Sequence, residues 1–142
     1  MKLPHLVVVG VSLGGLEALR VLLGALSANF PAALVIVQHR VMEESGELAM
    51  LLGETGSVSV GFPLDKECIQ VGRVYIAPPN YHLLVEDDHF AFSLDASENY
   101  ARPSIDVLFE SAAEAYGAGV TGIVLTGMGR DGACGLAAIH RR

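Results

Sequence analysis

Three residues of this 142-residue chain carry the chemistry of acyl transfer, and each follows a short apolar run: Ser12, His39 and Asp131. A serine hydroxyl becomes a nucleophile when an imidazole takes its proton. A carboxylate then fixes the imidazole tautomer, and backbone N–H groups hold the developing oxyanion. Ser12 lies in Gly10-Val11-Ser12-Leu13-Gly14, which has the form G-x-S-x-G of a sharp strand-to-helix turn that exposes a hydroxyl. Gly14 and Gly15 allow close backbone approach. A helix starting near Gly15 would point its positive dipole end at the loop. The chain order Ser, His, Asp disfavours the common α/β-hydrolase fold, whose order is Ser, Asp, His. A dinucleotide loop is disfavoured as well, because G-x-G-x-x-G fails at Ser12. Each residue also has a plain structural reading: Ser12 as a cap or turn, His39 as a strand-end histidine, Asp131 as the cap of the last helix. Their shared placement after apolar runs is what singles them out.

The elements that must position them read from the hydrophobic pattern. Residues 6–9, 34–38, 58–60, 74–77 and 120–126 are strand-like. Leu16, Leu19, Leu22, Leu23 and Leu26 recur at helical spacing, and a second helix is expected over 43–52. Residues 82–86 and 89–94 flank Asp87-Asp88 as an antiparallel hairpin. Pro103-Ser104 opens a helix over 105–116 with Ser104 as its cap, and a last helix starts near Gly132. Uniformly apolar strands joined by helices predict a three-layer α/β/α fold. Its sheet is mainly parallel and doubly wound, with the hairpin beside it. In such folds ligands bind outside the carboxyl ends of the strands. If the strands before Ser12, His39 and Asp131 run parallel, all three residues reach one sheet edge.

Composition narrows the function classes. The length suits a single domain over 1–142. A formal net charge of −7 argues against a nucleic-acid partner. Mean hydropathy is +0.45, yet no apolar run approaches the ~18 residues that span a bilayer, so no membrane insertion is expected. Cys68 and Cys134 lack metal-ligand spacing and read as reduced, cytoplasmic thiols, with Cys134 in the core. Asp106, near a helix start, is read as serving the helix dipole.

Five segments together resemble one family. Val9-Gly10-Val11-Ser12-Leu13-Gly14-Gly15-Leu16-Glu17-Ala18-Leu19 resembles the nucleophile loop of the protein-glutamate methylesterases of bacterial chemotaxis (CheB-type). Val37-Gln38-His39 resembles its histidine strand, and Tyr75-Ile76-Ala77-Pro78-Pro79-Asn80-Tyr81-His82 its mid-domain segment. Arg102-Pro103-Ser104-Ile105-Asp106-Val107-Leu108-Phe109 resembles its helix entry, and Leu125-Thr126-Gly127-Met128-Gly129-Arg130-Asp131-Gly132-Ala133 its aspartate loop. The resemblance implies a serine hydrolase that removes methyl groups from γ-glutamyl methyl esters on chemoreceptor helices. Glutamine deamidation is a related activity, in the phosphorelay-coupled signalling of chemotaxis. It implies Ser12 as nucleophile, His39 as general base and acid, Asp131 as the orienting carboxylate, and the backbone N–H groups of Met128 and Leu13 as oxyanion donors. No cofactor or metal is implied.

The chain departs from the family pattern in four places. Leu13 stands where the family usually has Thr, which predicts slower turnover, and Arg40-Val41-Met42-Glu43 replaces a Met-Pro-Pro-like loop. No receiver domain precedes Ser12, so direct phosphorylation control is not expected in this polypeptide. The chain also stops soon after Asp131, which reads as a catalytic domain truncated at its C-terminus. Two other readings stay open: a non-catalytic interaction module of a sensory assembly that keeps the methylesterase fold, and an anion-binding domain using the Gly10–Gly15 loop.

Overall fold

Strand-forming sequences that are apolar on both faces can be buried only between two layers. Leu6–Val11 (β1) and Ala33–Gln38 (β2) meet that condition at the centre of one sheet, which Ser59–Gly61 (β3), Arg73–Ile76 (β4) and Val120–Leu125 (β7) complete in the order β3-β4-β2-β1-β7. Every neighbouring pair is parallel. The computed structural model describes residues 4–11, 15–38, 57–98, 101–125 and 130–142. The helix expected over 43–52 lies outside them.

Alternation along the strands divides the core in two. Val9, Val11, Leu34, Ile36, Val74 and Ile76 face Leu19 and Leu23 of helix α1, Leu16–Gly24. Val8, Val35, Val37 and Tyr75 face the opposite way, toward α2, Ile105–Tyr116, and the antiparallel hairpin of His82–Glu86 (β5) and His89–Ser93 (β6). Helix α2 buries Ile105, Leu108, Phe109, Ala112 and Tyr116, an i, i+3, i+4, i+7, i+11 stripe that aims one face at the sheet. Burying each large side chain of that stripe is worth about 1.5–3 kcal/mol. The hairpin turns at Asp87, whose φ of 54° is the left-handed conformation that Asp tolerates. Across the hairpin and the sheet, Tyr75 and Phe90 meet edge to face with ring centroids 4.8 Å apart. The last helix, Ala133–His140 (α3), packs on α2 and on β7, where Leu136 and Ile139 lie over Gly122. Among the described residues no helix is long and apolar enough to cross a membrane.

Three expectations change. The first strand runs to Val11, not Val9, and Gly10 pairs with both Val37 and Val124 inside the ladder. Gly10 is there for packing: a Cβ would lie 2.5 Å from Ile105 Cγ2. Cys134 is exposed rather than part of the core. The buried position of α3 is Gly135, one residue on, and a 100° step turns Cys134 away from α2. Asp106 does lie in the first turn of α2, but its carboxylate serves the start of α3 instead.

Candidate active site

The parallel register sets a common level at one sheet edge. Val11 pairs with Gln38 on one side and Leu125 on the other, so β2, β1 and β7 reach their carboxyl ends together. Ser12 and His39 are the next residues in the chain. Ser12, Leu13, His39 and Met128 lie outside the described residues. Asp131 lies within them.

Asp131 reaches the N-terminus of α2. Its Oδ1 accepts hydrogen bonds from Ser104 Oγ at 2.8 Å and from the Asp106 N–H at 2.8 Å, while Oδ2 accepts from the Ile105 N–H at 2.6 Å. The first N–H groups of a helix have no partner within it and carry its positive dipole end. Asp131 takes two of them, and Ser104, the N-cap, accepts from the Val107 N–H at 3.4 Å. Through these bonds Asp131 caps α2 rather than the helix that follows it.

Asp106 returns the arrangement. From the first turn of α2 its Oδ1 accepts from Gly132 N–H at 3.0 Å and Gly135 N–H at 2.7 Å, at the start of α3. Gly132, the N-cap of α3, makes no side-chain cap bond, and Asp106 supplies the acceptor in its place. The two helices thus cap each other through crossed carboxylates, and each negative charge faces a helix N-terminus. Close approach is required for this. A Cβ on Gly135 would lie 2.4 Å from Phe109 Cβ and 3.2 Å from Asp106 Cα.

The α2 N-terminus is seated over the carboxyl end of β1. The Ile105 side chain fills the space above Gly10, and its own backbone N–H holds Asp131 Oδ2. Asp131 therefore belongs to the same sheet edge as the ends of β1 and β2. A carboxylate offers roughly four acceptor positions. Held this way at several of them, it is a rigid acceptor suited to orienting a ring N–H. From the sequence, Ser104 reads as a cap only and His82 as a hairpin flank. His82 is buried and bonded to the Ser104 N–H. No spacing rule pointed to that contact, because it joins residues 22 apart through the fold.

A parallel α/β sandwich with a fixed carboxylate at the carboxyl edge of its sheet belongs to the class of folds that carry their chemistry outside the strand ends. Comparison with known proteins narrows the class. The family model for CheB methylesterase matches residues 7–142, and the chain belongs to that family. A protein of Leptospira interrogans named putative protein-glutamate methylesterase/protein-glutamine glutaminase is 45% identical over 131 residues, which are 92% of this chain and 68% of that protein. A protein-glutamate methylesterase/protein-glutamine glutaminase of Pseudomonas syringae pv. tomato is 41% identical over 139 residues, 97% of this chain but 41% of its own length. The crystal structure of the Thermotoga maritima CheB methylesterase catalytic domain superposes with a TM-score of 0.87 at 36% identity, over 96% of this chain and 75% of that one.

Proposed function

We propose that the chain is a cytoplasmic serine esterase that hydrolyses γ-glutamyl methyl esters on chemoreceptor helices and deamidates receptor glutamine, using Ser12, His39 and Asp131. The observation that carries this reading is the level carboxyl edge of β2, β1 and β7, with the Asp131 carboxylate held beside it by α2. Membership of a methylesterase family and relatives named for both activities support it.

In this mechanism His39 takes the proton of Ser12 Oγ as the oxygen attacks the ester carbonyl. The backbone N–H groups of Met128 and Leu13 stabilise the tetrahedral oxyanion. Collapse breaks the C–OCH3 bond, and His39 returns its proton to the leaving oxygen to give methanol. Water, deprotonated by His39, then attacks the acyl-serine, which releases the glutamate carboxylate and restores Ser12. Asp131 holds the imidazole tautomer throughout.

The test is methanol release from a helical peptide carrying a glutamate γ-methyl ester. Ser12→Ala is expected to lower kcat by at least ~10³-fold, because members of such a triad act as a unit. Esterase activity that survives the substitution would place the chemistry elsewhere.

A further inference from the structure

His82 opens β5 and is 1% exposed. Both ring nitrogens are used. Nε2 lies 2.9 Å from the carbonyl oxygen of Ala96, and Nδ1 lies 3.2 Å from the Ser104 N–H. A carbonyl can only accept and an amide N–H can only donate, so these partners select the tautomer with hydrogen on Nε2 and a lone pair on Nδ1. Ser104 in turn donates its hydroxyl to Asp131 Oδ1 at 2.8 Å. One chain of hydrogen bonds therefore runs from the Ala96 carbonyl through the His82 ring and Ser104 to Asp131. The Ser104 N–H precedes the helix and has no helical acceptor, so His82 fixes the cap residue from outside while Asp131 is fixed from within.

We propose that His82 is a positioning residue for the Asp131 carboxylate, acting through the Ser104 backbone. The proposal rests on the reading of Asp131 as the carboxylate of the catalytic triad. His82 touches neither substrate nor nucleophile in this role. It fixes the azimuth of Ser104, so the hydroxyl stays aimed at Oδ1 and the carboxylate keeps one orientation.

Two near-isosteric variants separate the halves of the ring. His82→Asn places an amide oxygen near the Nδ1 position, so it can still accept from Ser104 N–H. His82→Gln reaches the Nε2 position and keeps the bond to Ala96, but offers Ser104 no acceptor. With the full chain and the methyl-ester peptide, His82→Gln is expected to lower kcat by about tenfold, the worth of one such hydrogen bond. KM should stay within roughly twofold, and His82→Asn should recover kcat to within roughly threefold of the parent. In an Asp131→Ala background, His82→Gln should cost no further fold, since the group it positions is gone. A purely structural histidine would instead show the same loss in both backgrounds.

The proposal is overturned by a parental kcat in His82→Gln, by equal losses in the Gln and Asn variants, or by a loss that persists without Asp131. If His82→Gln does not fold, His82→Asn is compared with the isosteric His82→Leu: a near-parental kcat in Asn beside a tenfold loss in Leu supports the proposal, and equal kcat in the two overturns it. Ser12→Ala runs alongside. An active Ser12→Ala overturns the triad reading and this proposal with it. An inert Ser12→Ala beside an indifferent His82→Gln overturns the proposal alone.

Discussion

Gly135→Ala places the crossed caps under direct stress. Carbon atoms in contact settle at roughly 3.5–4.0 Å. The added Cβ would start 2.4 Å from Phe109 Cβ and 3.2 Å from Asp106 Cα, both close to the backbone of α2 and unable to swing aside. Helix α3 must retreat by roughly 1 Å, given that contact range. The Gly135 N–H bond to Asp106, now 2.7 Å, then stretches beyond useful range, and the 3.0 Å bond from Gly132 weakens with it. Asp106 is 6% exposed, so its carboxylate loses partners where water cannot easily replace them. Overpacking costs about 1–3 kcal/mol, and a hydrogen bond to a charged group about 1.5–3 kcal/mol. Against this, alanine gains about 1 kcal/mol of helix propensity over glycine. The net is a loss of about 1.5–5 kcal/mol. In a chain of this length that lowers Tm by roughly 5–15 °C. Thermal unfolding followed by circular dichroism measures it. An unchanged or higher Tm would mean that propensity outweighs contact, and the close packing of α2 on α3 would be refuted.

Leu13→Thr places a hydroxyl next to Ser12, the proposed nucleophile, and leaves the proposed backbone donor in place. It is expected to raise kcat on the methyl-ester peptide by up to about tenfold with KM little changed. No gain would indicate that the site is adapted to a different ester. Burial pushes the Glu110 carboxyl above its usual range, helped by the nearby charges of Asp106 and Glu98 and opposed by Arg141. A carboxyl raised in the folded state makes the fold bind more protons than the unfolded chain through the carboxylate range, so its ionisation costs stability as pH rises. Glu110→Gln should therefore raise Tm slightly at pH 7, and the gain should fade as pH falls through the carboxylate range. A gain that is independent of pH would show that charge is not its cause.

The centre of the sheet was legible because β1 and β2 are short, near-continuous apolar runs bounded by turn residues. The helix over 105–116 was legible to the residue, since Ser104 caps it and its apolar stripe keeps a single phase. Errors fell where tertiary contact decides. Gly10 looks like a turn residue in one dimension, and only the Ile105 side chain above it shows why a strand continues there. Cys134 looks apolar enough for a core, but the helix phase that matters is set by Gly135 against Phe109. Asp131 was singled out by chemistry and by placement after a strand. Its partners were not, because Ser104, Ile105 and Asp106 lie 25 to 27 residues away along the chain.

The same atoms stabilise the fold and hold the candidate catalytic carboxylate. Helix α2 contributes a large part of one core through Ile105, Leu108 and Phe109, and its first turn grips Asp131. Asp106 in that turn secures α3, whose start follows Asp131 directly. A displacement of either helix therefore moves the carboxylate as well as the packing. Substitutions at the α2–α3 contact should consequently lower activity and stability together. Substitutions on the α1 side, such as Leu19→Ala or Leu23→Ala, remove buried volume from the other core and leave the caps intact. Each should cost about 2–5 kcal/mol. Because the described hydrogen bonds that hold Asp131 come from Ser104, Ile105 and Asp106 and not from that core, the specific activity of the folded fraction measured well below Tm should fall less than it does in Gly135→Ala. Equal losses of specific activity from the two sides would show that the carboxylate is insensitive to its helix, and the coupling of fold to site through α2 would be wrong.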